Sequence, residues 1–402
     1  MWMATMSSMH VMRTPGHRRA VGALLAALAV ALVVGCGTSP TPSPSTVVTP
    51  VPPSSTPVPS VAVLPSATPS PSPSPSPSST PVHEDLSGIP TTPELAHRYP
   101  IAVMLDDSPA GRPQAGLSAA SIVWQAPAEG GIPRYMAIFQ SGSPGRIGPV
   151  RSARLYFVRW ASEWKSVYLH SGGPPPLRAF LAGRQQLVVD VNGRATSRVS
   201  FRRAPHNLYS TGRRIRTFAE NTLHATADRL GYDASKPGVL YPFRDGAPLD
   251  GRGPDGGTIR VTYTSERVSY RYDRETNTWL RSVDGKDQRD PLDTPNGGYE
   301  ASATGPRIAP TTVVVMVVPI RRSAAIEGPA LGRLEADSIG SNKAWVFADG
   351  RVIAGTWKKR TPTDRTRFYA ATGTEIVLPR GQLFIQAIPK TSAFSFKVEA
   401  AR

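Results

Sequence analysis

The chain has 402 residues, a formal net charge of +17, 42 Pro, 35 Gly and one Cys. Its length permits two domains of about 150 residues each, and a lone Cys excludes an intrachain disulfide framework and any multi-cysteine metal site. Hydrophobic residues make up 40% and charged residues 19%, which supports buried cores and excludes a uniformly charged disordered chain.

A short basic region, Arg13 and then His17-Arg18-Arg19, precedes an unbroken run of small and apolar residues over 20–34. A permanent bilayer span needs about 20 such residues, so residues 1–35 read as a signal peptide. The run ends in Val33-Val34-Gly35-Cys36. An aliphatic residue, a small residue and then Cys resemble the lipobox of bacterial lipoproteins. That resemblance implies cleavage before Cys36 and lipidation of its thiol. Residues 36–88 follow as a Pro/Ser/Thr-rich linker. Pro-Ser alternation fits neither helix nor sheet and stays extended, reaching on the order of 140 Å over some 45 residues.

The body is expected to be an α+β pair of domains. Residues 89–250 alternate apolar strand runs with helical patterns and read as an α/β layered domain. Strands are expected over 101–105, ending at Asp106, and over 121–125, 135–139, 167–169 and 187–191. Tyr156, Phe157, Trp160, Ala161 and Trp164 recur at helical spacing. A short helix is expected over 177–181, and Ser210-Thr211 caps another that runs to Gly231. Residues 251–402 change to a period of two and read as a mainly antiparallel β domain. There, 311–318 is a buried central strand, Asp349-Gly350 marks a hairpin, and 384–388 is the last strand.

Arginine dominates the cations. Arg112, Arg134, Arg151 and Arg154 fall in a stretch whose only acid between Asp107 and Glu163 is Glu129. A guanidinium fork fits phosphate or carboxylate bidentately. Arg151 and Arg154 lie at a Gly-Pro turn entering a helix N-terminus, where cations oppose the dipole unless an anion or a carboxylate compensates. Both compensations are open. His170 ends a strand, and His206-Asn207 lies in a basic loop. Asp106 sits at a strand end, where ligands of α/β sheets gather. Glu129, His170 and His206 are therefore the candidate acids and bases. Arg112, Arg134, Arg151, Arg154, Asn207 and Asp106 are the candidate ligand-binding set. No zinc spacing, G-x-S-x-G elbow, P-loop or dinucleotide fingerprint is present, so no structural metal and no cofactor is expected.

Eight segments, in order, carry a family resemblance: PIAVMLD (100–106), RPQAGL (112–117), EGGIPRYMAIF (129–139), IGPVRSARLYF (147–157), HSGG (170–173), APHNLY (204–209), GTWKK (355–359) and DRTRFY (364–369). Together they resemble the YerB-like bacterial lipoproteins, a domain of unknown function with its own C-terminal companion domain. The resemblance implies location and architecture, and no reaction. Gln125 and Ser121 stand where such proteins often carry acids, so paired carboxylates there are not expected. The arginine turn also resembles that of the LytR-CpsA-Psr envelope phosphotransferases, which implies a lipid-linked pyrophosphate as ligand class. Ser121 replaces the Asp expected there, and no Arg-Asp pair follows Pro149.

The expected protein is lipid-anchored at the extracytoplasmic face of the cell membrane. It binds an anionic, phosphate-bearing ligand, either wall polymer or polyprenyl phosphate lipid. The alternative is an envelope enzyme of phosphotransferase or glycan-hydrolase type. Nucleic acid fits the charge but not the address.

Overall fold

Strand β1, Ile101–Asp106, buries all six of its residues, because both of its faces are covered. Ile101, Val103 and Leu105 enter one hydrophobic core, and Ala102 and Met104 enter the other. The computed structural model describes residues 81–183, 187–236, 238–293, 299–300, 305–323 and 332–401. The signal peptide, Cys36 and most of the linker lie outside the described residues.

The same two-faced burial holds for β2, Ile122–Pro127, and β3, Pro133–Phe139. Helix α1, Leu155–Ser162, follows. Its Trp160 stacks on Trp124 of β2, with ring centroids 4.4 Å apart. Then come β4, Val167–Leu169; α2, Pro175–Ala182; the two-residue β5, Val189–Asp190; and α3, Gly212–Leu223. Thr211 caps α3 by accepting from Arg214 N–H at 3.0 Å. The helix expected to run on to Gly231 breaks at His224, which adopts a left-handed conformation. A second short helix, Ala227–Leu230, ends at Gly231.

The C-terminal half adds β6, Thr258–Thr262; β7, Arg267–Asp273; and β8, Thr278–Val283. These bury alternate residues, as a sheet with one wet face does. Next are β9, Thr312–Val317; β10, Gly340–Ala348; β11, Arg351–Lys359; and β12, Arg367–Ala370. Asp349 and Gly350 join β10 to β11 with φ of 50° and 71°, the left-handed pair that a two-residue hairpin turn requires. Last come β13, Leu383–Ile388, and β14, Phe394–Lys397.

Among the described residues one sheet of eleven strands runs β12-β11-β10-β9-β13-β2-β3-β1-β4-β5, with Glu399–Ala400 beside β11. β13 lies parallel to both β9 and β2 and joins the two halves of the chain. A smaller sheet, β8-β7-β6-β14 with Lys286–Asp287 at its edge, covers one face. The fold is mostly β. The division at 250/251 is not a break in the sheet, since strands of both halves share it. The linker also ends sooner than 88: Val82–His83 pairs with Pro90–Thr91, and Glu84 to Ser87 are buried. Residues 384–388 do not close the set, because β14 follows and pairs with β6.

Candidate functional site

The site is built where β1 ends and β3 begins. Antiparallel register sets Asp106 opposite Arg134. The segment after Gly148 is laced into the same place: Asp106 N–H donates to Pro149 O, Arg151 N–H to Met104 O, and Ser171 N–H to Arg151 O. The loop after β4 is thereby drawn alongside, and Ala153 N–H donates to Gly172 O.

Two carboxylates organise the cations. Asp106 Oδ2 lies 2.5 Å from His206 Nδ1 and 3.3 Å from Arg151 Nε, while Oδ1 accepts from Ser108 N–H at 3.0 Å. Burial opposes the charge on Asp106, but Arg151 and these hydrogen bonds outweigh it and hold the carboxyl below its usual range. Glu129 pairs with Arg134 at 2.6 Å and, more closely, with Arg154. Arg134 also donates to the carbonyl and hydroxyl of Ser152, at 2.6 and 2.8 Å. Arg154 is the N-cap residue of α1, whose first turn holds no acid. Glu129 therefore supplies the compensation that the helix dipole demands there.

Asp106, Glu129, Arg134, Arg151, Arg154 and His206 thus converge. His170 is close by in the chain but differently employed. Its Nδ1 faces Gly172 O at 2.7 Å and its Nε2 faces Asp190 at 2.6 Å, so neither ring nitrogen is left for proton transfer. Asn207 accepts from Arg198 at 2.6 Å and donates to Val199 O. Arg112 lies apart, bonded to Asp107, Glu266 and Asp284. His206 turns the same nitrogen toward Ser108 (3.3 Å) and Asp106. A nucleophile–base–acid relay needs two different ring nitrogens, so these three do not form one.

Two features have no counterpart in the sequence reading. The first is a buried polar network under the small sheet. Asp107 and Gln125 lie within it at 2.5 Å, Gln125 accepts from Arg281 at 2.7 Å, and Arg281 donates to Tyr270 OH at 3.0 Å. Burial pushes the Asp107 carboxyl up to about 6, against the pull of Arg112, Arg281 and Gln125. The second is a cleft of about 580 Å³ beside Arg154, walled by Leu155, Leu177, Phe180 and Leu334. Helical spacing in α2 gave the only signal for it, through Leu177 and Phe180.

Two family models match the chain. Both describe a protein of unknown function (DUF3048), its N-terminal domain over residues 86–226 and its C-terminal domain over 259–385. A protein of Bacillus subtilis (strain 168) named "Putative lipoprotein YerB" is 31% identical over 283 residues, which span 68% of this chain and 77% of that protein. The crystal structure of YerB from Bacillus subtilis matches with a TM-score of 0.62 at 27% identity, covering 78% of this chain and 99% of that one. With both domains matched in order and the fold shared, the chain belongs to the DUF3048 family, to which it is joined by its likeness to YerB.

Proposed function

We propose that this protein is lipid-anchored at the extracytoplasmic face of the cell membrane and that its body binds a phosphate-bearing envelope ligand at the Asp106–Glu129 arginine cluster. The anchor rests on Cys36 with its signal-like flank, and on kinship with a protein named as a lipoprotein. Among the described residues no helix is long and apolar enough to cross a membrane. Cys36→Ser is expected to move the protein from the membrane fraction to the soluble fraction. Membrane recovery equal to that of the unaltered chain would contradict the anchor.

One observation carries the ligand class: the Arg151 guanidinium faces Asp106 at 3.3 Å beside the Arg134–Glu129–Arg154 group and stays within reach of solvent. Burial pulls Arg151 below the ordinary arginine range, so the cation has already lost part of its water, while 25% of its side chain stays open. An arriving phosphate meets a fork that is partly desolvated and reachable. Binding fits this geometry better than catalysis, since Glu129 is clamped by two arginines and His170 is engaged at both nitrogens. Arg151→Gln is expected to weaken inorganic phosphate binding about tenfold, the worth of one charge-assisted contact. Calorimetric titration giving equal affinities for the two proteins removes the site.

A further inference from the structure

We infer that the cleft beside Arg154 holds the hydrocarbon tail of the same ligand, which makes that ligand a single-chain anionic amphiphile. The inference rests on the phosphate reading above and adds the second half of the molecule. The cleft's volume of about 580 Å³ lies in the range of about 300–1,000 Å³ usual for small-molecule sites. Leu155 from α1, Leu177 and Phe180 from α2, and Leu334 and Ala336 from the strand Leu334–Ala336 make its walls apolar. A free phosphate would leave those walls wet, and an alkyl chain would dry them.

The charges at the rim fit one anionic head. Arg154 lines the cleft and also pairs with Glu129, so one guanidinium borders both sites. Arg321 occupies the rim acids, lying 3.4 Å from Glu335 and 2.6 Å from Asp337. Arg159, one turn along α1 from Leu155, also lines the cleft. Among the described residues its guanidinium has no hydrogen bond or ion pair, and Glu335 and Asp337 act on it only at longer range. Burial lowers its pKa below the ordinary range. A cation half withdrawn from water at the end of an apolar wall is unfavourable alone and favourable beside an anion.

The test uses the mature chain from residue 36 as the Cys36→Ser form, so that no acyl chain of its own competes. Dodecyl phosphate, kept below its micelle-forming concentration, is titrated beside inorganic phosphate and dodecyl maltoside. Dodecyl phosphate is expected to bind at least about tenfold more tightly than either. Phe180→Ser is expected to weaken dodecyl phosphate about tenfold and leave inorganic phosphate unchanged. Arg159→Gln is expected to weaken dodecyl phosphate by a similar factor. Circular dichroism melts confirm that both variants are folded, and both positions are partly exposed. The cleft reading is overturned if dodecyl phosphate binds no more tightly than inorganic phosphate, no more tightly than dodecyl maltoside, or equally to all three proteins. Failure of the underlying site looks different: dodecyl phosphate then binds in a Phe180-dependent way that Arg151→Gln does not alter.

Discussion

Lys359→Met is expected to lower the unfolding free energy by about 3 kcal/mol, the lower end of the cost of orphaning a buried charge. Lys359 Nζ lies 2.9 Å from Glu163 Oε1, and both side chains are fully buried. Thr366 donates twice to the same carboxylate, through N–H at 3.1 Å and Oγ1 at 2.6 Å. Burial works to strip Lys359 of its proton and outweighs the help that Glu163 gives. The variant leaves Glu163 charged, buried and without its closest cation. Arg365 stays near but is held by Val239 O at 2.7 Å and by the Trp164 ring at 3.6 Å, which is why the lower end of the range applies. Lys359→Met with Glu163→Gln is expected to recover most of the loss, because the orphaned Glu163 carboxylate is then gone. Urea unfolding decides it. A double variant as unstable as the single one would mean that packing around Lys359, and not the pair, carries the stability.

Arg281→Met is expected to cost about 3–5 kcal/mol at pH 7 and to make stability rise on acidification. Arg281 is fully buried, bonded to Gln125 and Tyr270, with its guanidinium 4.8 Å from the Phe384 ring centroid. It is also one of the cations that hold Asp107 down, and without it Asp107 climbs further above about 6. A carboxyl whose folded pKa lies above its unfolded value binds its proton more tightly when folded. The cost of ionising it is therefore present above the folded pKa and is relieved as pH falls from about 7 toward 4. Asp106 and Asp190, both held below their usual range, act in the opposite direction in acid. They do so in both proteins, so the difference between the two isolates Asp107. A deficit that is the same at pH 7 and pH 5 would rule out Asp107 as its source.

Local signals were legible where the period was strong. The three two-face-buried strands of the N-terminal half, the aromatic face of α1, the cap at Thr211 and the Asp349-Gly350 turn were all readable, because each is decided within a few residues. Asp106 was singled out by strand-end logic, but its partners were not. Choosing between a ligand and Glu129 as counter-charge for Arg154 depends on where Glu129 comes to rest, which is tertiary information. Asp107, Gln125, Glu266 and Arg281 were invisible because they meet across two sheets and up to 174 positions of chain separate the network's members. The family segments of the C-terminal half gain a physical reason. Lys359 and Thr366 grip Glu163, and Trp357 Nε1 donates to Val317 O at 2.7 Å. A Cβ added to Gly355 would stand 1.9 Å from Tyr369 O, so β11 and β12 pair closely only with glycine there.

The place of β13 in the middle of the sheet has a consequence for biogenesis. A ribosome delivers β2 long before β13, and until residues 383–388 arrive the edge of β2 has no partner on that side. The first half of the chain therefore waits with an open apolar edge, the kind of surface that recruits chaperones or aggregates. On the export route proposed above, this delay would be an advantage: the sheet would stay open during transit and close after the late strand had crossed. A stop codon that removes β13 and β14 is thus a lesion of the whole body, N-terminal half included, and quality-control proteolysis is where it would be read out.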